Sequence, residues 1–153
     1  MPDLMRRLTW LFMIGVVSAG PVLAGDFYEP NGVAIGGVDP VAYLTERKAV
    51  MGSSRFTVLY RGSLFHFASA EHRDAFLADP IRFAPQYGGF CAYGTAKGYK
   101  AKSEPEAFTI VGGKLYLNYN LGVRKRWQAE LPDVITAGDR QWPAVSQLSH
   151  VTQ

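Results

Sequence analysis

The chain has 153 residues, of which 48% are apolar, 13% aromatic and 19% charged. This composition is typical of a globular protein, and the length favours a single domain. Sixteen Lys and Arg against 13 Asp and Glu give a formal net charge of +3, and no basic run is longer than 124–126. Such sparse basic charge argues against a nucleic-acid binder. A single cysteine excludes an intramolecular disulfide framework and a four-thiolate zinc site.

The first 24 residues are predicted to be a signal peptide. Arg6-Arg7 supply a positive start, and the mostly apolar, uncharged run 8–20 is too short to span a bilayer. The small side chain of Ala24 is of the kind that signal peptidases accept at a cleavage site. We therefore expect cleavage after Ala24, and export of a soluble product to the periplasm or medium without stable membrane insertion. An uncleaved N-terminal anchor is the alternative.

Local patterns predict a hairpin and two helices in the first half of the exported chain. Residues 56–60 and 64–67 are rich in β-formers and are separated by a turn, which predicts paired strands. Ser69 is expected to cap a helix over about 70–78. Asp79-Pro80 should end this helix and begin a second short one, because proline suits the first helical position.

The second half predicts a glycine-rich turn, another hairpin and another helix. Three glycines lie within 88–94, which allows a close approach of the backbone or a positive φ. Two runs, 108–111 and 114–119, flank a Gly-Gly pair and predict a second hairpin. Asn120 is expected to cap a helix that carries Val123, Trp127 and Leu131 at four-residue spacing, with the proline beyond it either kinking this helix or starting another.

Together these patterns predict an α+β fold, in which a small antiparallel sheet built from hairpins packs with short helices. We expect one domain over 35–142, preceded by an N-terminal loop at 25–34 and followed by a flexible polar tail at 143–153. No internal repeat is evident in the sequence.

Three side chains are candidate ligands for a soft metal ion. Cys91 follows the glycine-rich turn, where a helix start would favour its thiolate. His66 lies in the second strand and points away from the flanking phenylalanines, and His72 lies in the first turn of the next helix. Thiolate and imidazole together suit copper or zinc. The alternatives are that Cys91 is a buried apolar residue or links two copies, and that the histidines are ordinary surface groups.

Aromatic residues gather around the cysteine and could line a ligand groove. The candidates for this groove are Tyr87, Phe90, Tyr93 and Tyr99. They could equally fill a small core. Motifs of the common hydrolases and nucleotide-binding enzymes are absent from the sequence, so we expect no catalysis; a thiol redox enzyme is the weak alternative.

Four motifs resemble those of exported proteins with a YHS domain, over about 35–142. They are Gly-Val-Asp-Pro-Val-Ala-Tyr at 37–43, Phe-His-Phe-Ala-Ser-Ala-Glu-His-Arg-Asp-Ala-Phe at 65–76, Asp-Pro at 79–80 and Tyr-Gly-Gly-Phe-Cys-Ala-Tyr-Gly at 87–94. The resemblance implies a small α+β fold. It also implies a link to heavy-metal ions, because YHS domains are thought to bind them and occur beside metal transporters and metal-responsive proteins.

The metal-linked YHS proteins carry cysteines in a DPVC segment and an FCSxxC segment. The matching positions here are Ala42, Ala68 and His72. Alanine cannot ligate a metal ion, so the family's thiol site does not transfer to this chain as it stands. His72 is the one potential ligand that remains at those positions.

Two functions are therefore expected for this chain. The first is a small exported binding module that holds copper or zinc through Cys91 with His66 or His72, and that buffers the ion or passes it to a metal-handling partner in the periplasm. The second is an exported module that binds a small ligand or another protein through the aromatic groove, with Cys91 structural.

Overall fold

A computed structural model describes residues 26–153. The predicted signal peptide and its cleavage site lie outside the described residues. None of the helices formed by 26–153 combines the length and the apolar character that crossing a bilayer requires.

The strands form two separate antiparallel hairpins. They are β1 (Ser53–Tyr60) paired with β2 (Ser63–Phe67), and β3 (Phe108–Val111) paired with β4 (Lys114–Leu117). Both predicted hairpins and the α+β class are confirmed, but the single predicted sheet is two two-stranded sheets. The two hairpins bury their side chains in different clusters of the core, and they do not pair with each other.

Six α-helices occur among the described residues, and side-chain caps begin several of them. They are α1 (Pro40–Thr45), α2 (Ala70–Ala78), α3 (Pro80–Phe83), α4 (Ala92–Ala96), α5 (Leu121–Ala129) and α6 (Asp133–Val145). The hydroxyl of Ser69 accepts from the backbone N–H of His72 at 3.1 Å, and the Asn120 side chain accepts from Val123 at 2.8 Å. Both predicted caps are confirmed, and the proline at 132 precedes a separate helix rather than kinking α5.

The order of the elements repeats along the chain. A 3₁₀ turn at Ala34–Gly37 is followed by α1, β1, β2, α2 and α3, and a second at Gln86–Gly89 is followed by α4, β3, β4, α5 and α6. Each turn contains three successive residues with positive φ, ending in a Gly-Gly pair: Ile35, Gly36 and Gly37 in the first, Tyr87, Gly88 and Gly89 in the second. We expected no repeat from the sequence, and the structure shows one in element order.

The two halves also place one fully buried aromatic residue alike. Phe76 lies seven residues after the cap Ser69, and Trp127 lies seven residues after the cap Asn120. Both side chains are fully buried, each in its own cluster of core residues. The repetition therefore extends from the order of elements to the packing of the helices that follow each hairpin.

The C-terminal segment is held against the rest of the structure. Helix α6 continues to Val145, and beyond it Thr152 exchanges backbone hydrogen bonds with Lys100 and Lys102, both at 2.9 Å. The Lys100 ammonium also donates to the carbonyls of Ser146 at 3.0 Å and Leu148 at 2.8 Å. The structure thus differs from the expectation of a flexible tail at 143–153, because a lysine distant in sequence supplies its hydrogen bonds.

Candidate functional site

Cys91 is enclosed at the start of α4. Its side chain is 2% exposed, and its sulfur accepts from the backbone N–H of Gly94 at 3.4 Å as the cap of that helix. On the other side the sulfur lies 3.7 Å from the Oδ1 atom of Asn118, which is itself fully buried just after β4. The sulfur therefore connects α4 to the end of the second hairpin.

Burial raises the pKa of the Cys91 thiol. Backbone N–H groups of Gly94, Tyr119 and Tyr93 act in the opposite direction, but the loss of solvation is the larger effect. The stabilisation that the glycine-rich turn and the helix start could give the thiolate is therefore outweighed by burial, in line with the alternative of a buried apolar Cys91. Helix α4 has five residues, and its few N–H groups do not replace the water that the thiolate would lose.

We expect Cys91 to react slowly with iodoacetamide in the native protein at pH 6 to 7, because the thiol is protonated and covered. The same protein in denaturant is the control and should react at the rate of an ordinary thiol. The raised folded-state pKa also means that this group stabilises the fold below the thiol's ordinary value of 9.0 and loses that contribution as the pH rises through the folded value. Rapid native labelling at pH 6 would contradict the buried assignment.

His72 belongs to a different network, centred on Asp39. Its Nδ1 atom lies 2.6 Å from the Oδ2 atom of Asp39, and its Nε2 atom lies 3.7 Å from the Oε1 atom of Glu46. Asp39 is fully buried and also accepts from the backbone N–H groups of Val41 and Ala68 at 2.8 and 2.9 Å. The carboxylate thus caps α1 and holds the end of the first hairpin.

Asp39 and Cys91 occupy corresponding places in the two halves. Each lies two residues after its Gly-Gly pair, caps the short helix that follows, and contacts the residue just after its own hairpin: Ala68 for Asp39 and Asn118 for Cys91. A carboxylate makes these connections in the first half and a thiol makes them in the second. The correspondence supports a structural role for Cys91.

His66 lies half-buried on β2, between fully buried Phe65 and Phe67, as its position in the strand predicts. Neither of its ring nitrogens has a hydrogen-bond partner among the described residues. Within 26–153, no three side chains of the His, Cys, Asp and Glu types come together in a group that could hold a metal ion. His66, His72 and Cys91 therefore do not assemble into a three-ligand site of that kind.

The four predicted groove residues are also divided among different surroundings. Tyr87 lines a cleft, whereas buried Phe90 lies behind it against the ring of Trp142. The hydroxyl of Tyr93 donates to Glu130 at 2.9 Å on the surface, and Tyr99 is exposed. These side chains do not form a single groove.

A cleft with a volume of about 800 Å³ lies where the two halves meet. Its lining combines buried apolar side chains with charged and amide groups from both halves: Asp26, Phe27, Tyr60, Arg61, Ile81, Ala84, Pro85, Gln86, Tyr87, Gly88, Lys100, Asp139, Trp142, Ser146, Gln147 and Leu148. Of the predicted groove residues, only Tyr87 is among them. Sequence reasoning missed the others because they are scattered along the chain and share no motif.

Lys100 is the most unusual polar group in this cleft, because it is almost fully buried. Its ammonium bonds to two carbonyl oxygens and lies 4.8 Å from the centre of the Phe90 ring, but it has no carboxylate within ion-pair distance in the described chain. Burial lowers the pKa of Lys100, and the charge of Asp26 partly opposes that shift. The cleft thus contains a cation without a bound counter-charge.

A carboxylate and a phenol lie on the α6 side of the cleft. The hydroxyl of Tyr87 donates to Asp139 at 2.8 Å, with the carbonyl of Ile135 at 3.2 Å. Burial is the main cause that raises the pKa of Tyr87, and Asp139 adds to it. Gly138 makes this contact possible, since a Cβ atom there would lie 2.5 Å from the tyrosine oxygen.

Comparison of the chain with protein-family models, curated proteins and solved structures gave no match. The resemblance to exported YHS proteins therefore rests on the sequence motifs, and membership of that family remains a prediction.

Proposed function

We propose that this chain is a small exported binding module, without catalysis of its own, that holds a small organic anion with a ring or short apolar part in the cleft between its two halves. The observation that supports this proposal most directly is the nearly buried Lys100 ammonium in that cleft. Export is proposed from the signal sequence alone.

The anionic part of the ligand follows from Lys100, because the other charged groups of the lining already have partners: Arg61 pairs with Asp26, and Asp139 accepts from Tyr87. Lys100 can donate three hydrogen bonds, and two go to the carbonyls of the C-terminal segment. A ligand carboxylate or phosphate would supply the missing counter-charge, and a hydrogen bond to a charged group is stronger than one between neutral groups. Arg61 stands at the rim and already pairs with Asp26 at 2.8 Å, so it is a secondary contact.

The apolar part of the ligand follows from the walls. Trp142 is held against the rings of Tyr87 and Phe90, with ring centres 5.9 and 6.4 Å apart. Tyr60 and Ile81 also line the cleft, and Ile81 is largely exposed. An amphipathic cleft of this kind suits a ligand that buries a ring or chain and keeps polar groups at fixed positions.

The test compares matched anions and neutral molecules on the full chain. We expect benzoate, phenylacetate or phenyl phosphate to show saturation-transfer signals and one-to-one binding by calorimetry, and benzamide to bind more weakly. A Lys100→Met variant should weaken anion binding by about 10- to 100-fold, because a hydrogen bond to a charged group is lost. Equal binding of the amide and the acids, or no binding of any of them, would refute the proposal.

Two further variants distinguish an effect on ligand binding in the cleft from an effect on the stability of the fold. Lys97→Met is the matched control, because Lys97 pairs with Glu130 on the surface outside the cleft and its loss should leave binding unchanged. Arg61→Gln alters the rim without disturbing the buried lysine, and should weaken binding less than Lys100→Met does. Thermal unfolding of each variant shows whether a lost signal reflects a lost fold.

Cys91 has a structural role in this proposal. Its sulfur is engaged with Gly94 and Asn118, and burial keeps the thiol protonated. A metal site at Cys91 with His66 or His72, and thiol redox chemistry, would each require this sulfur to leave those contacts.

A further inference from the structure

We propose a Cu(I) site of two protein ligands, the Nδ1 atom of His66 and the sulfur of Met51, both of which lie close to Gly37. The site is distinct from the cleft and does not involve Cys91. It rests on the position of these two atoms, the glycine close to both of them and the chemistry of the donor pair.

Gly37 lies close to both donor atoms and has no side chain to occupy the space beside them. A Cβ atom built there would lie 3.4 Å from the Nδ1 atom of His66 and 3.8 Å from the sulfur of Met51. The two donors are therefore separated by no more than the sum of these distances. Because Gly37 has a φ of 82°, a side chain at this position would also strain the backbone.

Backbone contacts hold the imidazole in this position. The N–H of Gly52 donates to the carbonyl of Gly37 at 2.8 Å, and Val38 forms a β-bridge with Met51. A Cβ atom at Gly52 would lie 2.6 Å from the backbone carbon of His66, so only glycine allows the chain to pass so close. The register of β1 against β2 shifts here, as strands do where a bulge redirects side chains.

The donor pair suits Cu(I) in particular. A thioether is a soft ligand that selects Cu(I), and imidazole is a good ligand for copper. With bonds of about 2.0 Å to nitrogen and about 2.3 Å to sulfur, the donors must come to about 4.3 Å apart on opposite sides of the ion. Met51 can make this adjustment because its side chain is 67% exposed and has three rotatable bonds.

The availability of both donors supports the site. His66 has no hydrogen-bond partner on either ring nitrogen within the described part of the chain, so metal binding would displace no protein contact. Met51 is the single methionine of residues 26–153. Two protein ligands leave room for a third ligand from solvent or from a recipient protein, which suits an ion that is held reversibly.

The test is an anaerobic Cu(I) titration of the full chain carrying ¹³C-methyl methionine, against the chelator bicinchoninate. A Met51→Leu spectrum assigns the Met51 methyl signal among those of the four methionines. We expect this signal to shift until one equivalent of Cu(I) is bound. Both Met51→Leu and His66→Gln should weaken binding at this site by more than about 10- to 100-fold, the loss that follows when only a hydrogen-bond partner of a metal ligand is changed.

Two controls make the result specific. His150→Gln removes an exposed histidine from the C-terminal segment and should leave Cu(I) binding unchanged. Cys91→Ser should also retain the Met51 shift, which would distinguish this site from one built on the thiol. The proposal is overturned if the Met51 methyl signal does not move at saturating Cu(I), or if the His66→Gln protein shows the same shift and affinity as the wild type.

Discussion

An Asp39→Ala variant is expected to lose about 3–5 kcal/mol of unfolding free energy, because several donors lose their acceptor and each buried donor left without a partner costs about 1–3 kcal/mol. The carboxylate is fully buried and accepts from Val41, Ala42, Ala68 and His72. Removing it leaves these donors without their acceptor, uncaps α1 and detaches that helix from the end of the first hairpin. Urea denaturation followed by circular dichroism measures the loss.

Asp79→Ala is the matched control for this result. Asp79 also caps a helix, since its carboxylate accepts from Arg82 at 3.2 Å, but this contact is exposed. Its removal should cost about 1 kcal/mol, as for an ordinary cap. If the two variants lose the same free energy of unfolding, the carboxylate of Asp39 contributes only as a cap. Its contacts with Ala68 and His72 then add nothing measurable to stability.

A Phe76→Ala variant is expected to lose about 3–5 kcal/mol, because it removes a fully buried aromatic side chain and leaves a cavity. The ring of Phe76 packs against Phe65, Phe67 and Tyr60, with centres 5.0 to 5.5 Å apart. These contacts connect α2 to the inner face of the first hairpin. The measurement is again the free energy of unfolding in urea.

The adjacent residue provides the comparison for Phe76. Leu77 is 57% exposed on the same helix, and Leu77→Ala should change stability by no more than about 0.5 kcal/mol. The difference between the two losses of unfolding free energy therefore reports the effect of burial rather than that of helix propensity. Similar losses for both variants would mean that α2 does not pack on the hairpin in the way described.

Features set by neighbouring residues could be predicted from the sequence. The hairpins and the caps Ser69 and Asn120 follow from residues within a few positions of one another. The alternation that places His66 opposite two buried phenylalanines is equally local. These patterns depend on backbone propensity and periodicity, which a short window of sequence contains.

Features that depend on distant contacts could not be predicted. The pKa of Cys91 is governed by how deeply the sulfur is buried, which requires the position of Asn118. The C-terminal segment looked free because its partner, Lys100, lies about fifty residues earlier. The cleft was missed for the same reason, since its walls come from both halves of the chain.

The proposed copper site is a further case in which the sequence could predict only one of the residues involved. His66 was a candidate ligand from the sequence, but Met51 was not, because a lone methionine fifteen residues before a histidine has no metal-binding pattern. Only the hairpin and the turn at Gly37 bring the two side chains together. The glycine is as informative as the ligands, since the lack of a side chain leaves room for an ion.

The doubled order of elements bears on how such a protein arises. Two halves that each run through turn, helix, hairpin and two helices are what the duplication and fusion of a shorter ancestor would leave. The cleft is lined by both halves, so one half alone could not form it. Asp39 and Cys91 would then descend from one ancestral position, and their different chemistry would record how far the copies have diverged.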